Sequence, residues 1–302
     1  MTPRVAITLG DPRGIGAEIT RAVLPVAGAA VTLIGPDDLL EPLEADRAVG
    51  VGRWDLPPGP TDAPGALARA GELTVQSVVK AVDLWKAGEV DAIVTAPGDK
   101  SAFHAAGHRF PGHTELLRDL TGARSVAMML ASDRLRVVLV TTHLALRAAL
   151  SILTRERVVE VGETTRAGLR DWFGLAEPRM ALCALNPHAG EGGLFGDEEA
   201  RVLAPAARAL GAAGPLPADT VFVRAIKGEF DVVLAPYHDV GMTAIKVASF
   251  GHGVNVTLGL PVPRTAPDHG TALDIAGQGR ADASSMRHAV HTAVEIARRL
   301  GH

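Results

Sequence analysis

Short apolar runs alternate with longer amphipathic segments along this chain, and that alternation restricts the fold more than any other feature. "RVAITLG" (4–10) precedes "GAEITRAVLPVA" (16–27), then "AVTLIGP" (30–36), the long "GELTVQSVVKAVDLWKAGEV" (71–90) and "DAIVTAPG" (91–98). Runs of four to eight apolar, β-branched residues are strand-like, and the longer segments carry a helical period. Strands regularly separated by helices predict a mostly parallel sheet with helices on its faces. Further strands are expected in "RVVLVTTH", "RMALCALNPHAG", "DVVLAPYHD" and "GVNVTLGLP". In open α/β sheets ligands gather at the carboxyl ends of strands, so the polar turns that close these runs are the first places to search for chemistry.

Composition narrows the partners. With 302 residues, 47% of them hydrophobic, the chain can bury a large core as one domain or two. A net charge of −4, 4% aromatics and no basic run give nucleic acid nothing to hold. The single cysteine, Cys183, excludes an internal disulfide framework, and the opening "MTPRVAITLGDP" lacks a signal-peptide core. The apolar runs are too short to cross a bilayer, so no membrane role is expected and a cytoplasmic location is. "LPPGPTDAPG" (56–65) is a surface-loop candidate.

The first glycine turn, "GDPRGIGAE", is neither G-x-G-x-x-G nor a P-loop. It is either a tight strand-to-helix turn or a loop whose amides approach a ligand. Three histidines stand at equivalent strand ends: His143 in "VTTHLALR", His188 in "LNPHAGEGG" and His238 in "APYHDVGM". One such histidine is more often structural; three suggest neutral imidazole ligands for a divalent ion with open positions for substrate. Pro187 and the following glycines stop the strand and would aim His188 into a cleft.

His113 and Thr114 follow a Pro-Gly turn and open an apolar helical run. Thr114 is either the helix cap or, with His113 and the new helix's amides, part of an anion site favouring phosphate. Lys100, just past a strand, could add charge or carry a proton. Lys246, Asn255 and Arg264 punctuate an otherwise apolar, glycine-rich stretch and would suit a carboxylate or phosphate. The segment 268–282, "DHGTALDIAGQGRAD", is in itself a glycine-rich loop before a helix.

Seven ordered blocks, "AITLGDPRGIGAE", "FPGHTELL", "TTHLALR", "LNPHAGEGGLFGDEE", "GPLPADTVF", "APYHDVG" and "DHGTALDIAGQGRAD", span nearly the whole chain. Together they resemble the 4-hydroxythreonine-4-phosphate dehydrogenase family of pyridoxal phosphate biosynthesis. The resemblance implies the two-domain α/β/α fold of the isocitrate and isopropylmalate dehydrogenases, with a cleft between the domains. Residues 1–105 with 265–302 would form one domain, and 106–264 the other, which carries the metal ligands and most of a homodimer contact. It implies that His143, His188 and His238 bind one divalent ion, zinc, magnesium, manganese or cobalt, with ligands shared between subunits. His113, Thr114, Lys246, Asn255 and Arg264 would contact a small phosphorylated hydroxy-acid. The loop bearing Asp268, His269, Gly270, Thr271 and Asp274 resembles the NAD or NADP loop of those dehydrogenases. Asp219 is placed near the site by analogy, and Lys100, Asp219 and Lys246 are the proton-transfer candidates.

The implied reaction is NAD(P)-dependent oxidation of the 3-hydroxyl of 4-phosphohydroxy-L-threonine, then decarboxylation to 3-amino-2-oxopropyl phosphate. Three positions depart from the family pattern: Val240 after "YHD", Asp99 where others carry histidine, and Arg13 in place of alanine. A carboxylate at 99 could repel an anionic substrate. "TAPGDKSAFHAAGHRFPGHTELLRDL" and "LFGDEE" also resemble relatives that oxidise 4-phospho-D-threonate or 4-phospho-D-erythronate. A dehydrogenase of carboxylated dihydrodiols and a noncatalytic metabolite-binding protein are the remaining readings.

Overall fold

The computed structural model describes every residue except Asp62, inside the proline- and glycine-rich connection, and Phe250. The chain divides into two compact units, Met1–Arg124 with Leu260–His302, and Ser125–Gly259.

In the first unit the elements are β1 (Arg4–Thr8), α1 (Gly16–Arg21), β2 (Ala30–Gly35), α2 (Asp37–Leu40), β3 (Arg47–Gly50), α3 (Ala66–Lys86), β4 (Ala92–Thr95), α4 (Lys100–Ala105) and α5 (His113–Thr121). The second unit contains β5 (Ala127–Ala131), β6 (Arg136–Leu139), α6 (Leu146–Ile152), α7 (Arg155–Phe173), β7 (Met180–Cys183), α8 (Ala204–Leu210), β8 (Ala213–Leu216), α9 (Ala218–Ile226), β9 (Val232–Ala235), α10 (His238–Ser249) and β10 (Val254–Leu258). The chain then returns to the first unit with β11 (Arg264–Pro267) and α11 (Ser284–Arg299).

The first unit's strands run in the order β3-β2-β1-β4-β11, and every pair is parallel. Central strands buried on both faces are near-continuous apolar runs, as in Ile7, Ile93 and Val94, each fully buried. Ala70, Leu73, Ser77, Val78 and Ala81 place the buried stripe of α3 at helical spacing. Segment 106–124, which the sequence reading grouped with the later domain, lies with this unit because α5 packs on α3.

The second unit orders its strands β10-β5-β6-β9-β7-β8. β5 is antiparallel to both β10 and β6, and the remaining pairs are parallel. Its core gathers Val137, Leu139, Ala181, Val233 and Ile245. The α/β class and the mostly parallel pairing therefore hold, with one antiparallel strand inserted. That strand, β5, comes from "AMMLA", a methionine-rich run without β-branched residues that the sequence reading passed over. No helix among the described residues is long and apolar enough to cross a membrane.

Candidate active site

β1 runs into the first glycine turn, and the turn spends its amides internally. Asp11 N donates to Pro97 O, Gly14 N to Asp11 O, Ile15 N to Thr271 O, and Arg13 N to the Asp11 carboxylate. Gly10, at φ +70°, has no room for a side chain, since a Cβ would lie 2.2 Å from Pro97 O. The plainer of the two readings fits this loop: its amides fasten strand ends together and leave little for a ligand.

Arg13, which the sequence singled out only as a departure, is buried and bridges two carboxylates. Its Nε and Nη2 donate to Asp11 at 3.0 and 2.7 Å, and Nη2 donates also to Asp99 Oδ2 at 2.9 Å. The other Asp99 oxygen caps α4, accepting from Ser101 N at 2.8 Å and Ser101 Oγ at 2.7 Å. Burial pushes the Asp99 carboxyl up, but the bonds from Ser101 and Arg13 outweigh it, and the net shift is downward. The two departures are thus one ion pair, and the Asp99 charge is not a free repulsive group.

His113 opens α5 and lies over the turn that follows β4. A Cβ on Gly98 would fall 2.6 Å from His113 Cε1, so a side chain there would require the ring to shift from its present seat. Phe103 meets the ring edge-on at 5.3 Å between centroids. The His113 Nε2 is shut off from solvent and has no hydrogen-bond partner. Burial, helped by the nearby Arg264 cation, lowers its pKa to about 3. Thr114 does not cap the helix: Gly112 occupies the cap position and no side chain closes it. The capping alternative for Thr114 therefore falls away.

Arg264, at the start of β11, is 3% exposed and donates from Nε and Nη2 to Thr95 Oγ1 at 3.2 and 2.5 Å. Burial lowers its pKa to about 10, partly opposed by Glu115, so it remains a cation near neutrality. A buried cation, a neutral imidazole with a buried, unpartnered nitrogen and the first turn of α5 thus share one corner of the first unit. Lys100, the first residue of α4, is exposed.

The Asp268–Asp282 loop is tied down at several points. Ser285 Oγ donates to Asp268 Oδ1 at 3.1 Å, Thr271 O accepts from Ile15, and Glu18 accepts from Gly277 N and Ala281 N at 3.1 and 2.9 Å. His269 Nδ1 lies 3.1 Å from Gly270 O, while its Nε2 is buried without a partner. Asp274 is exposed.

In the second unit His143 and His238 face each other, ring centroids 5.6 Å apart, beside a cavity of about 140 Å³ lined also by Thr141, Leu146 and Tyr237. Two imidazoles on one ion, with metal–nitrogen bonds of about 2.1 Å, place their centroids roughly 5 Å apart, and this pair stands close to that spacing. Asp239 Oδ1 lies 2.7 Å from His238 Nδ1, and an Nδ1–H donated there would leave Nε2 as the nitrogen with a lone pair to offer. His188 does not join them: among the described residues no three histidine, cysteine or acidic side chains are gathered to hold a metal. A single chain thus brings together two of the three expected ligands.

His188 heads a run of left-handed residues, with φ +52° at His188, +56° at Ala189 and +43° at Glu191. The buried Glu199 pins that turn, accepting from Leu185 N, Asn186 N and Asn186 Nδ2 at 2.9, 2.7 and 2.9 Å. Glu199 was missed by sequence reasoning, although "DEE" closes the same block. Asn255 lies on β10 with a buried, unpartnered Oδ1, Lys246 is exposed on α10, and Asp219 is exposed on α9.

One pH effect follows from His113. The unfolded side chain binds a proton near 6.5, whereas the folded one resists until about 3, so stability is lost as pH falls through that window. Urea unfolding across this range should show a shallower pH slope for His113→Gln than for the wild type; equal slopes would refute the buried neutral ring.

Buried ionic and imidazole groups beside a strand end, with paired strand-end histidines in the same chain, are the equipment of an α/β enzyme for anionic substrates. The chain belongs to the family described as pyridoxal phosphate biosynthetic protein PdxA, whose profile matches residues 44–293. It is 44% identical to the 4-hydroxythreonine-4-phosphate dehydrogenase of Geobacter metallireducens, over 98% of this chain and 96% of that one. It is 42% identical to the D-threonate 4-phosphate dehydrogenase of Pectobacterium atrosepticum, over 98% and 100%. The crystal structure of 4-hydroxythreonine-4-phosphate dehydrogenase from Klebsiella pneumoniae superposes with a TM-score of 0.86 at 39% identity, covering 98% of each chain. The family expected from the seven blocks is the family found.

Proposed function

We propose that this chain is an NAD(P)-dependent dehydrogenase that oxidises the 3-hydroxyl of 4-phosphohydroxy-L-threonine, with decarboxylation to 3-amino-2-oxopropyl phosphate. Full-length identity to dehydrogenases named for that substrate supports the reading. The observation in the molecule that carries it is the His113–Arg264 corner. Arg264 supplies fixed positive charge, His113 stays neutral and offers a ring N–H, and Thr114 offers a hydroxyl whose bonds are not spent on capping. These three residues hold the phosphoryl group at the start of α5. Lys246 and Asn255 are further substrate contacts, and Lys100, Asp219 and Lys246 are the groups from which the proton carrier is drawn.

His143, His238 and the His188 of a second copy hold one divalent ion, which makes the working form a homodimer. The 5.6 Å ring pair supports two of these ligands. The segments bearing His143 and His188 also expose Leu144, Leu146, Leu194 and Phe195, apolar surface suited to a second copy. When bound, the ion supplies Lewis acidity at the substrate's alcohol and carboxylate oxygens, and the nicotinamide accepts hydride. Asp239 orients His238, and Glu199 fixes the turn that presents His188. The loop with Asp268, His269, Gly270, Thr271 and Asp274 receives the nicotinamide cofactor, and the reaction takes place in the cytoplasm.

The second reading is oxidation of 4-phospho-D-threonate or 4-phospho-D-erythronate, favoured by the 42% identity to a D-threonate 4-phosphate dehydrogenase. NADH or NADPH formation with a divalent ion, measured on phosphohydroxythreonine, both phosphorylated sugar acids and an unphosphorylated dihydrodiol, decides between them. Thr114→Ala should raise KM roughly tenfold for the phosphorylated substrate and leave kcat nearly unchanged. An equal rise on an unphosphorylated analogue would remove the phosphate assignment, and binding without turnover on every compound would leave only a metabolite-binding protein.

A further inference from the structure

We propose that Arg13 is a positioning residue for His113, acting through Asp99 to hold the 97–100 turn on which the imidazole rests. The proposal adds to the phosphate reading above and uses it for one of its measurements.

The connection is short and each link is visible. Arg13 is 5% exposed, and its Nη2 is shared between Asp11 Oδ2 at 2.7 Å and Asp99 Oδ2 at 2.9 Å. Asp11 is itself tied to the same turn, its N donating to Pro97 O at 2.9 Å. The turn is therefore clamped to the first strand's end at Pro97 by a backbone bond and at Asp99 by a guanidinium. Between these anchors lies Gly98, the residue against which the His113 ring packs. Beyond them, Asp99 starts α4 through Ser101, so a shift of Asp99 moves both the floor of the His113 seat and the direction of Lys100.

A guanidinium is needed for this geometry. Its planar fork can serve one carboxylate through Nε and Nη2 while sharing Nη2 with another, whereas an ammonium is a compact point charge. Buried ion pairs are poor devices for stability alone, because desolvation offsets most of the attraction, and in some proteins they are retained because they fix position. Arg13 accordingly couples two loops whose relative placement decides where the imidazole lies.

The test uses Arg13→Lys, Asp99→Asn and the double variant in the full chain. Arg13→Lys keeps a cation beside Asp11, and Asp99→Asn keeps a cap acceptor for Ser101, so neither strips a buried charge of its partner. Each single variant should shift the His113 ring resonances in NMR spectra and weaken binding of inorganic phosphate roughly fivefold to tenfold. KM for the phosphorylated substrate should rise in parallel, with kcat within about twofold of wild type. The double variant should be no worse than the weaker single, because both break one link. Additive losses, or unmoved His113 resonances in both singles, would overturn the proposal. If Arg13→Lys does not fold, Asp99→Asn, which leaves the Arg13–Asp11 pair intact, decides alone through the same two measurements. The phosphate reading fails separately: a wild type that binds no phosphate removes it, while non-additive movement of the His113 resonances would still uphold the link.

Discussion

Replacing His188 by glycine is expected to abolish divalent-ion binding and turnover while the melting temperature stays level or rises slightly. The side chain is exposed and its backbone sits at φ +52°, ψ +30°, in the left-handed region that costs an ordinary residue about 1 kcal/mol. Glycine removes that cost, offset by its greater freedom in the unfolded chain. His188→Ala loses the imidazole but keeps the strain, so the two variants should match in lost activity and differ in stability. Strain of this kind persists where function requires it. Calorimetric titration with Mn²⁺ or Zn²⁺, followed by thermal unfolding without metal, makes the comparison. Undiminished turnover in either variant would end the assignment of His188 as a ligand, and a fall in melting temperature for the glycine variant would refute the strain argument.

Arg264→Met should separate stability from activity in the same direction, through electrostatics. The guanidinium is buried and its pKa is held down to about 10, which means that folding opposes its charge. Methionine fills a similar volume without that charge but loses the bonds to Thr95 Oγ1, so the two effects offset and the free protein should melt within a few degrees of the wild type. The loss should appear in kcat/KM for the phosphorylated substrate, by about 100-fold or more, because the buried cation that meets the anion is gone. His113 gives an independent readout. Arg264 is one of the two causes of its low pKa, so removing the cation should raise that value, with burial alone still keeping it below 6.5. Variant activity within a few-fold of wild type would exclude Arg264 from the anion site.

The parts of the fold that were legible in the sequence are those whose burial is written in composition. β1, β4, β7 and β9 are apolar on both faces and stand out as uninterrupted runs. β11 did not stand out, because "RTAP" carries an arginine and ends in proline. It is a strand because β4 pairs with it and because Thr265 Oγ1 donates to Ala289 O at 2.8 Å, contacts made by residues distant in sequence. The same distinction applies to the site. His113, His143 and His238 were visible as histidines at element ends. What sets each ring's chemistry was not: the bare backbone of Gly98, the Asp239 partner, and the Arg264 charge located about 150 residues further along the chain. Arg13 and Asp99 illustrate the limit, since read singly each looked like an added charge, and only their contact shows that they are paired.

Gly98 has a consequence for reading other sequences. A side chain at that position would meet the His113 ring, with 2.6 Å left between its Cβ and Cε1, so the residue at 98 sets where the imidazole can lie. A relative that keeps the histidine but carries a larger residue at 98 must seat its imidazole differently, so the ring's position does not transfer by alignment alone.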